Sequence, residues 1–130
     1  MGLVEKKKLK ELQEVTVPGR QKELEEITGA PIQYDVKWDS FANDMEAMNF
    51  FDNLAFHRIN MAFRMICTDA FSKEAVREGL TTISLENVKD KAENSISFAG
   101  GVLEMRCAYA LRLDGVYQEY AIKKAVEEGL

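Results

Sequence analysis

The sequence is poor in the residues on which small metal-binding, disulfide-stapled and nucleophilic sites depend. It has two cysteines and one histidine among 130 residues. Cys67 and Cys107 lie far apart, and neither has another Cys or a His at metal-ligand spacing. We interpret both as buried thiols in a reducing compartment. The sequence therefore predicts no metal site and no cofactor.

Long apolar runs are also absent. No stretch approaches the ~20 consecutive apolar residues that a membrane span needs. The N-terminal residues MGLVEKKKLKEL have no apolar run after their charges, so they do not resemble a secretory signal. The expected location is cytoplasmic, with no membrane association.

An excess of positive charge is the third absence. Lys and Arg number 17 against 22 Asp and Glu, which gives a formal net charge of −5. This acidic balance argues against a broad nucleic-acid surface, which needs basic side chains. The length suits one domain. We expect a single compact α+β domain over residues 1–130, with residues 1–15 as a loosely docked N-terminal helix.

The periodicity of apolar residues predicts both helices and strands. Strict alternation from Ile32 to Trp38 is typical of a strand with one buried face. Three further strands follow as a β-meander, and paired glycines at 100–101 mark a tight turn. The predicted strands are 32–38, 81–88, 95–98 and 102–111, and the predicted helices are 3–14, about 17–28, 43–71, 72–79 and 116–128.

This order of elements indicates an α+β fold. We expect a mainly antiparallel sheet of about four strands, made of the N-terminal strand and the three-strand meander. The sheet would pack against the long central helix 43–71 and the shorter helices. No motif in the chain is specific enough to indicate a family.

The long helix carries one narrow polar stripe. Three of its six residues are Asn, a poor helix former, and the only His of the chain is among them. Successive members are three or four positions apart, the spacing of one helix face. The stripe consists of Glu46, Asn49, Asn53, His57, Asn60 and Arg64. We take Asn49, Asn53, His57, Asn60 and Arg64 as the candidate binding or interface residues.

Three environments fit this stripe. It is a solvated face, a contact with a second copy of the helix, or the wall of a pocket. Glu46 and Arg64 are five full turns apart at ~3.6 residues per turn, so they would pair across an antiparallel two-fold contact. In a pocket, the amides and the Arg64 guanidinium would hold a small polar or anionic ligand.

Catalysis has little support in the sequence. His57 is the only base to consider, and Asp52 lies roughly 140° away from it around the helix. Cys67 is about 15 Å along the axis from His57. Neither pair forms a nucleophile and base within one helix, so no catalytic residue is predicted.

The long helix is apolar around well over half of its circumference, which is typical of a helix shared with a second chain or central in a domain. The first functional prediction is therefore a non-enzymatic binding or assembly module that forms a homodimer. The alternative is a small ligand-binding protein or enzyme. Its pocket would lie beside His57 and Arg64 and accept a small anionic or polar molecule.

Overall fold

A computed structural model describes residues 2–130 and shows an α+β fold, as predicted. A four-stranded sheet is accompanied by helices. The strands are β1 Gln33–Val36, β2 Thr82–Asn87, β3 Ser95–Ala99 and β4 Val102–Cys107. The helices are α1 Leu3–Glu11, α2 Val17–Thr28, α3 Met45–Phe51, α4 His57–Ile66, α5 Ala70–Gly79 and α6 Glu119–Gly129.

The prediction of a mainly antiparallel sheet is wrong. The strand order is β1-β2-β4-β3, and only the β3–β4 pair is antiparallel. β1 runs parallel to β2 because α3, α4 and α5 lie between them in the chain and form a crossover connection. Of the predicted meander, only the β3–β4 hairpin forms, and β4 pairs in parallel with β2.

Burial explains why β4 takes the place beside β2. The inward side chains Leu103, Met105 and Cys107 of β4 are all buried, as a strand with neighbours on both sides requires. In β3 the side chains on the same face, Ile96 and Phe98, are only partly buried, which suits the edge of the sheet.

The predicted single long central helix is also wrong. It divides into α3 and α4, which are joined by a π-helical turn, Asp52–Phe56. The helical segment ends at Ile66, and Phe71 belongs to α5, whose N-cap is Asp69. We call Asp52–Phe56 the second π turn.

Within residues 2–130, no helix has the length and apolar character needed to cross a bilayer.

The first π turn, Leu12–Thr16, joins α1 to α2 where a helix break was predicted. Pro18 has no N–H to donate to the carbonyl of the preceding turn, and its ring crowds that carbonyl. A widened π turn just before Pro18 accommodates both effects, because it shifts the hydrogen-bond pattern by one residue. The chain therefore stays helical from Leu3 to Thr28.

The core is rich in aromatic rings. Phe51, at the end of α3, is fully buried and its ring centroid lies 4.4 Å from that of Phe41 and 4.7 Å from that of Phe56. Tyr109, which follows β4, lies 5.1 Å away in an edge-on arrangement. These contacts connect α3 and the second π turn to the segments that follow β1 and β4.

Asp44 caps α3 and joins it to the end of β2. Its carboxylate accepts hydrogen bonds from the backbone N–H of Ala47 at 3.1 Å, from Asn87 at 3.0 Å and from Lys89 at 3.2 Å. Burial pushes the pKa of Asp44 upward, but the hydrogen bonds from Asn87, Ala47 and Lys89 outweigh it, so the pKa is lowered. The ionised form is therefore the one that stabilises the fold.

Replacing this cap should weaken the fold in a pH-dependent way. We expect Asp44→Ala to cost about 1–2 kcal/mol of unfolding free energy at neutral pH, because a cap and two further acceptor contacts are lost. Since the folded-state pKa of Asp44 lies below the ordinary value of 3.8, its stabilisation is complete above that value and is lost as the pH falls through the lower folded value.

Urea denaturation of both proteins between pH 7 and pH 2 checks this prediction. The difference between wild type and Asp44→Ala should shrink below pH 3.8. The matched control is Asp39→Ala, because Asp39 is exposed and its side chain makes no hydrogen bond within residues 2–130. A difference that stays constant down to pH 2 would contradict the role given to the ionised carboxylate.

Candidate functional site

The structure separates the predicted stripe residues into two environments. Asn49, Asn53, His57 and Arg64 are exposed, as is Glu46. Asn60 is instead 1% exposed and faces the helix α2. The six residues therefore do not share one face.

The second π turn displaces the two ends of the stripe from each other. It adds one residue to the helical repeat, which rotates everything after it by roughly 100° relative to an uninterrupted α-helix. Glu46 and Arg64 thus lose the common azimuth that the sequence predicted. His57, Asn60 and Arg64 all follow the turn, so the turn does not separate them; Asn60 differs because it lies on the side of α4 that packs against α2.

Asn60 belongs to a network of polar side chains on three elements. Its Nδ2 donates a 2.6 Å hydrogen bond to Oε1 of Glu23 on α2. Its Oδ1 is buried and has no hydrogen-bond partner within residues 2–130. A buried amide oxygen without a donor is costly, so this atom is a weak point in the packing between α2 and α4.

Arg20 holds the network together. Its Nε and Nη2 donate to the two oxygens of Asp52 at 2.7 Å and 3.1 Å, and its Nη1 donates to Glu23 at 3.3 Å. The hydrogen bond to Asp52 is the main reason why the pKa of Arg20 is raised. Asp52 opens the second π turn and Arg20 lies one turn beyond the first, so this fork links the two π turns.

Tyr34 of β1 lies beneath the same residues. Its hydroxyl is buried and unpartnered within the described chain. Burial raises the pKa of Tyr34, while the Arg20 charge lowers it and the Glu23 charge raises it. Tyr34 therefore stays protonated and can both donate and accept. We call Arg20, Glu23, Tyr34, Asp52 and Asn60 the polar cluster.

A groove of about 300 Å³ opens above the polar cluster. Its charged wall is formed by Arg20, Glu23 and Asp52, and its remaining wall comes from the first π turn and the start of α2. A Cβ built on Gly19 would meet no atom within 4 Å, so this wall borders open space. We call this the π-turn groove; its residues are Val15, Thr16, Gly19, Arg20, Glu23 and Asp52.

A second groove, of about 340 Å³, lies among α4, α5 and α6 and is largely apolar. Phe71 beside it is 82% exposed. Met61, Met65 and Leu130 are also exposed apolar side chains, and the two Met lie on the outer face of α4 with His57 and Arg64. We call this the apolar groove; its residues are Ile66, Phe71, Ser72, Ala75, Glu127 and Leu130.

Neither groove is lined by His57 or Arg64. Within residues 2–130, no three His, Cys, Asp or Glu side chains gather in a way that could hold a metal ion. Burial raises the pKa of Cys67 and raises that of Cys107 to about 11, so both thiols are protonated near neutral pH and are weak nucleophiles.

Sequence reasoning missed Arg20 and Glu23. Both lie on a helix with an ordinary mixture of charges, and nothing local distinguishes them from their neighbours. Pro18 within a helical pattern is the one available signal, because a proline there implies a distorted turn.

No family model matches the chain, and comparisons with curated proteins and with solved structures also gave no match.

Proposed function

We propose that this chain is a non-enzymatic assembly module that forms a homodimer through the outer face of α4 and the adjacent apolar groove. The observation that carries the proposal is the exposure of Phe71, at 82%, directly beside a groove large enough to receive an aromatic ring. An aromatic side chain that lies mostly in water at the wall of an apolar groove is typical of an interaction surface.

The neighbouring position of ring and groove favours a second copy over an unrelated partner. In a two-fold contact, if residue i of the first chain touches residue j of the second, then residue j of the first chain also touches residue i of the second. Phe71 of one chain would enter the apolar groove of the other, and the same contact would form in reverse. A single surface patch therefore supplies both halves of the interface.

The surroundings of the groove add further support. Met61 and Met65 on α4 offer flexible apolar surface that adapts to a partner. Arg64, next to Met65, and Glu127, in the groove, carry opposite charges at the border of the patch. Opposite charges at the rim favour correct register in an association between copies. His57 and Arg64, predicted from the sequence as interface residues, lie on this outer face of α4.

Replacing Phe71 tests the proposal. We expect the wild type to form a dimer in sedimentation velocity. Phe71→Asp should weaken the dimer at least about tenfold, because a charge would replace the ring that the dimer buries. Leu113→Asp is the matched control, since Leu113 is 69% exposed but lies in the segment Tyr109–Gly115 after β4. It should dimerise like the wild type.

Two results would overturn the proposal. One is a wild-type protein that sediments as a monomer at every concentration tested. The other is an equal loss of dimer in Phe71→Asp and Leu113→Asp, which would place the interface elsewhere. Circular dichroism of each variant separates lost association from lost folding. Both substitutions are at exposed positions, so both variants should fold.

A further inference from the structure

We infer that α1 binds the surface of an anionic lipid bilayer through its outward side. α1 lies against the first π turn and α3, whereas the proposed dimer surface lies among α4, α5 and α6. The inference therefore goes beyond the proposed function and does not rest on it. We call the outward side of α1 the basic face; its residues are Leu3, Lys6, Lys7 and Lys10.

The charge of the chain is divided unevenly. Residues 2–10 carry four lysines and one glutamate, a formal charge of +3, although the whole chain carries −5. The rest of the chain therefore carries −8. Such an asymmetry is typical of a basic segment that binds an anionic partner.

The helical spacing gathers these lysines on the side of α1 that faces solvent. The residues of the basic face are three or four positions apart, so they are neighbours on the helix, and all of them are exposed. The opposite side of α1 carries Leu9, which packs against the core, and leads to Leu12, which is 1% exposed. The basic face therefore points away from the body of the protein.

The lysines of the basic face have no partner of their own. Lys6, Lys7 and Lys10 form no ion pair within residues 2–130, whereas Lys8 pairs with Glu11 at 3.3 Å. Three unpaired ammonium groups on one face attract the phosphate and carboxylate groups of anionic lipids. Each lysine near such a membrane strengthens binding about fivefold.

Two exposed apolar side chains favour a lipid surface over a nucleic acid. Leu3 is 67% exposed and the adjacent Val4 is 64% exposed. A bilayer buries such side chains below its headgroups while lysine ammonium groups stay at headgroup level. A nucleic acid would leave them in water, and α1 has neither an aromatic residue nor an arginine to stack on bases. The expectation of no membrane association considered only spanning and signal segments, which a surface contact does not require.

Co-sedimentation with lipid vesicles tests this inference. The full chain should sediment with vesicles that contain about one phosphatidylserine for every two phosphatidylcholines, and added salt should release it. Vesicles of phosphatidylcholine alone should bind at least about tenfold more weakly, because two apolar side chains do not hold the chain without charge attraction.

A triple lysine variant locates the contact. Replacing Lys6, Lys7 and Lys10 by Gln should weaken binding to the anionic vesicles by a factor on the order of a hundred, at about fivefold for each lysine. The matched control removes the same charge at three exposed lysines elsewhere in the chain and should bind like the wild type. Its substitutions are Lys22→Gln, Lys91→Gln and Lys124→Gln.

A second pair of variants separates a lipid surface from other anionic partners. Leu3→Ser combined with Val4→Ser should weaken vesicle binding at least about tenfold, because these side chains no longer enter the bilayer. Val15→Ser should bind like the wild type, since Val15 is 66% exposed but lies beyond α1 in the first π turn. If a variant did not fold, the salt and lipid dependence of the unaltered chain would still decide.

Four results of these experiments would overturn the inference. They are no sedimentation with the anionic vesicles, equal binding to phosphatidylcholine alone, equal weakening in the two triple variants, and salt-dependent binding of mixed-sequence RNA without binding to vesicles. A dimer that only the triple variant in α1 loses would make a second copy the occupant and would overturn it as well. The test of the dimer through Phe71 contains no lipid, so failure of one proposal is distinguishable from failure of the other.

Discussion

Phe51→Ala should lower the free energy of unfolding by about 3–5 kcal/mol. Phe51 is fully buried and contacts the rings of Phe41, Phe56 and Tyr109, with centroids between 4.4 and 5.1 Å away. Removing this ring leaves a cavity at the point where α3, the second π turn and the segment after β4 meet. The neighbouring rings are rigid and fill such a space poorly.

Urea denaturation followed by circular dichroism measures this loss. Phe71→Ala is the matched control, because it removes the same side chain from a position that is 82% exposed, and it should change the stability of the monomer by no more than about 0.5 kcal/mol. The comparison belongs at a protein concentration below dimer formation, so that association does not add to stability. Similar losses in the two variants would contradict the burial of Phe51.

Gly115→Ala should be the second severe substitution, with a loss of about 1–3 kcal/mol or a failure to fold. A Cβ at Gly115 would lie 2.1 Å from the backbone oxygen of Ala108 and 2.9 Å from the Cβ of Leu111. The obstacle is backbone, so no side-chain rotation relieves it. The carbonyl of Gly115 also accepts hydrogen bonds from the N–H of Ala108 and from Asn94, and a backbone shift would break both.

The matched control for Gly115→Ala has the opposite sign. Gly19 lies inside a continuous helical stretch, and a Cβ there would meet no atom within 4 Å. Gly19→Ala should therefore raise the free energy of unfolding by about 0.5–1 kcal/mol, because alanine loses less backbone entropy in a helix than glycine does. Thermal and urea unfolding of both variants check the pair, and a Gly115→Ala protein as stable as the wild type would contradict the close approach at Gly115.

Local patterns in the sequence predict the elements better than their arrangement. The alternation around Tyr34 and Val36 places β1 correctly, and the glycines at 100 and 101 give the hairpin between β3 and β4. Whether β3 or β4 lies beside β2 depends on which strand buries its inward face more completely, and that strand is β4. That choice follows from packing across the whole sheet, and the meander assumption gave the wrong neighbour.

The polar stripe shows the same limit at the level of one helix. The spacing from Glu46 to Arg64 assumes 3.6 residues per turn throughout. One additional residue in the second π turn invalidates that assumption between α3 and α4. Within α4, the packing against α2 turns Asn60 toward Glu23 while His57 and Arg64 remain in solvent. The partners that stabilise this turn, Arg20 above all, are distant in sequence and carry no local signal.

The parallel pairing of β1 with β2 also has a consequence for how the chain is made. Gln33 pairs with Thr82, so roughly 50 residues must leave the ribosome after β1 before its neighbouring strand exists. During that interval α3, α4 and α5 can form, while Val36 and the apolar face of β1 have no sheet to join. The emerging chain thus carries an unpaired strand edge for much of its synthesis, and this is the stage at which a molecular chaperone has most to protect.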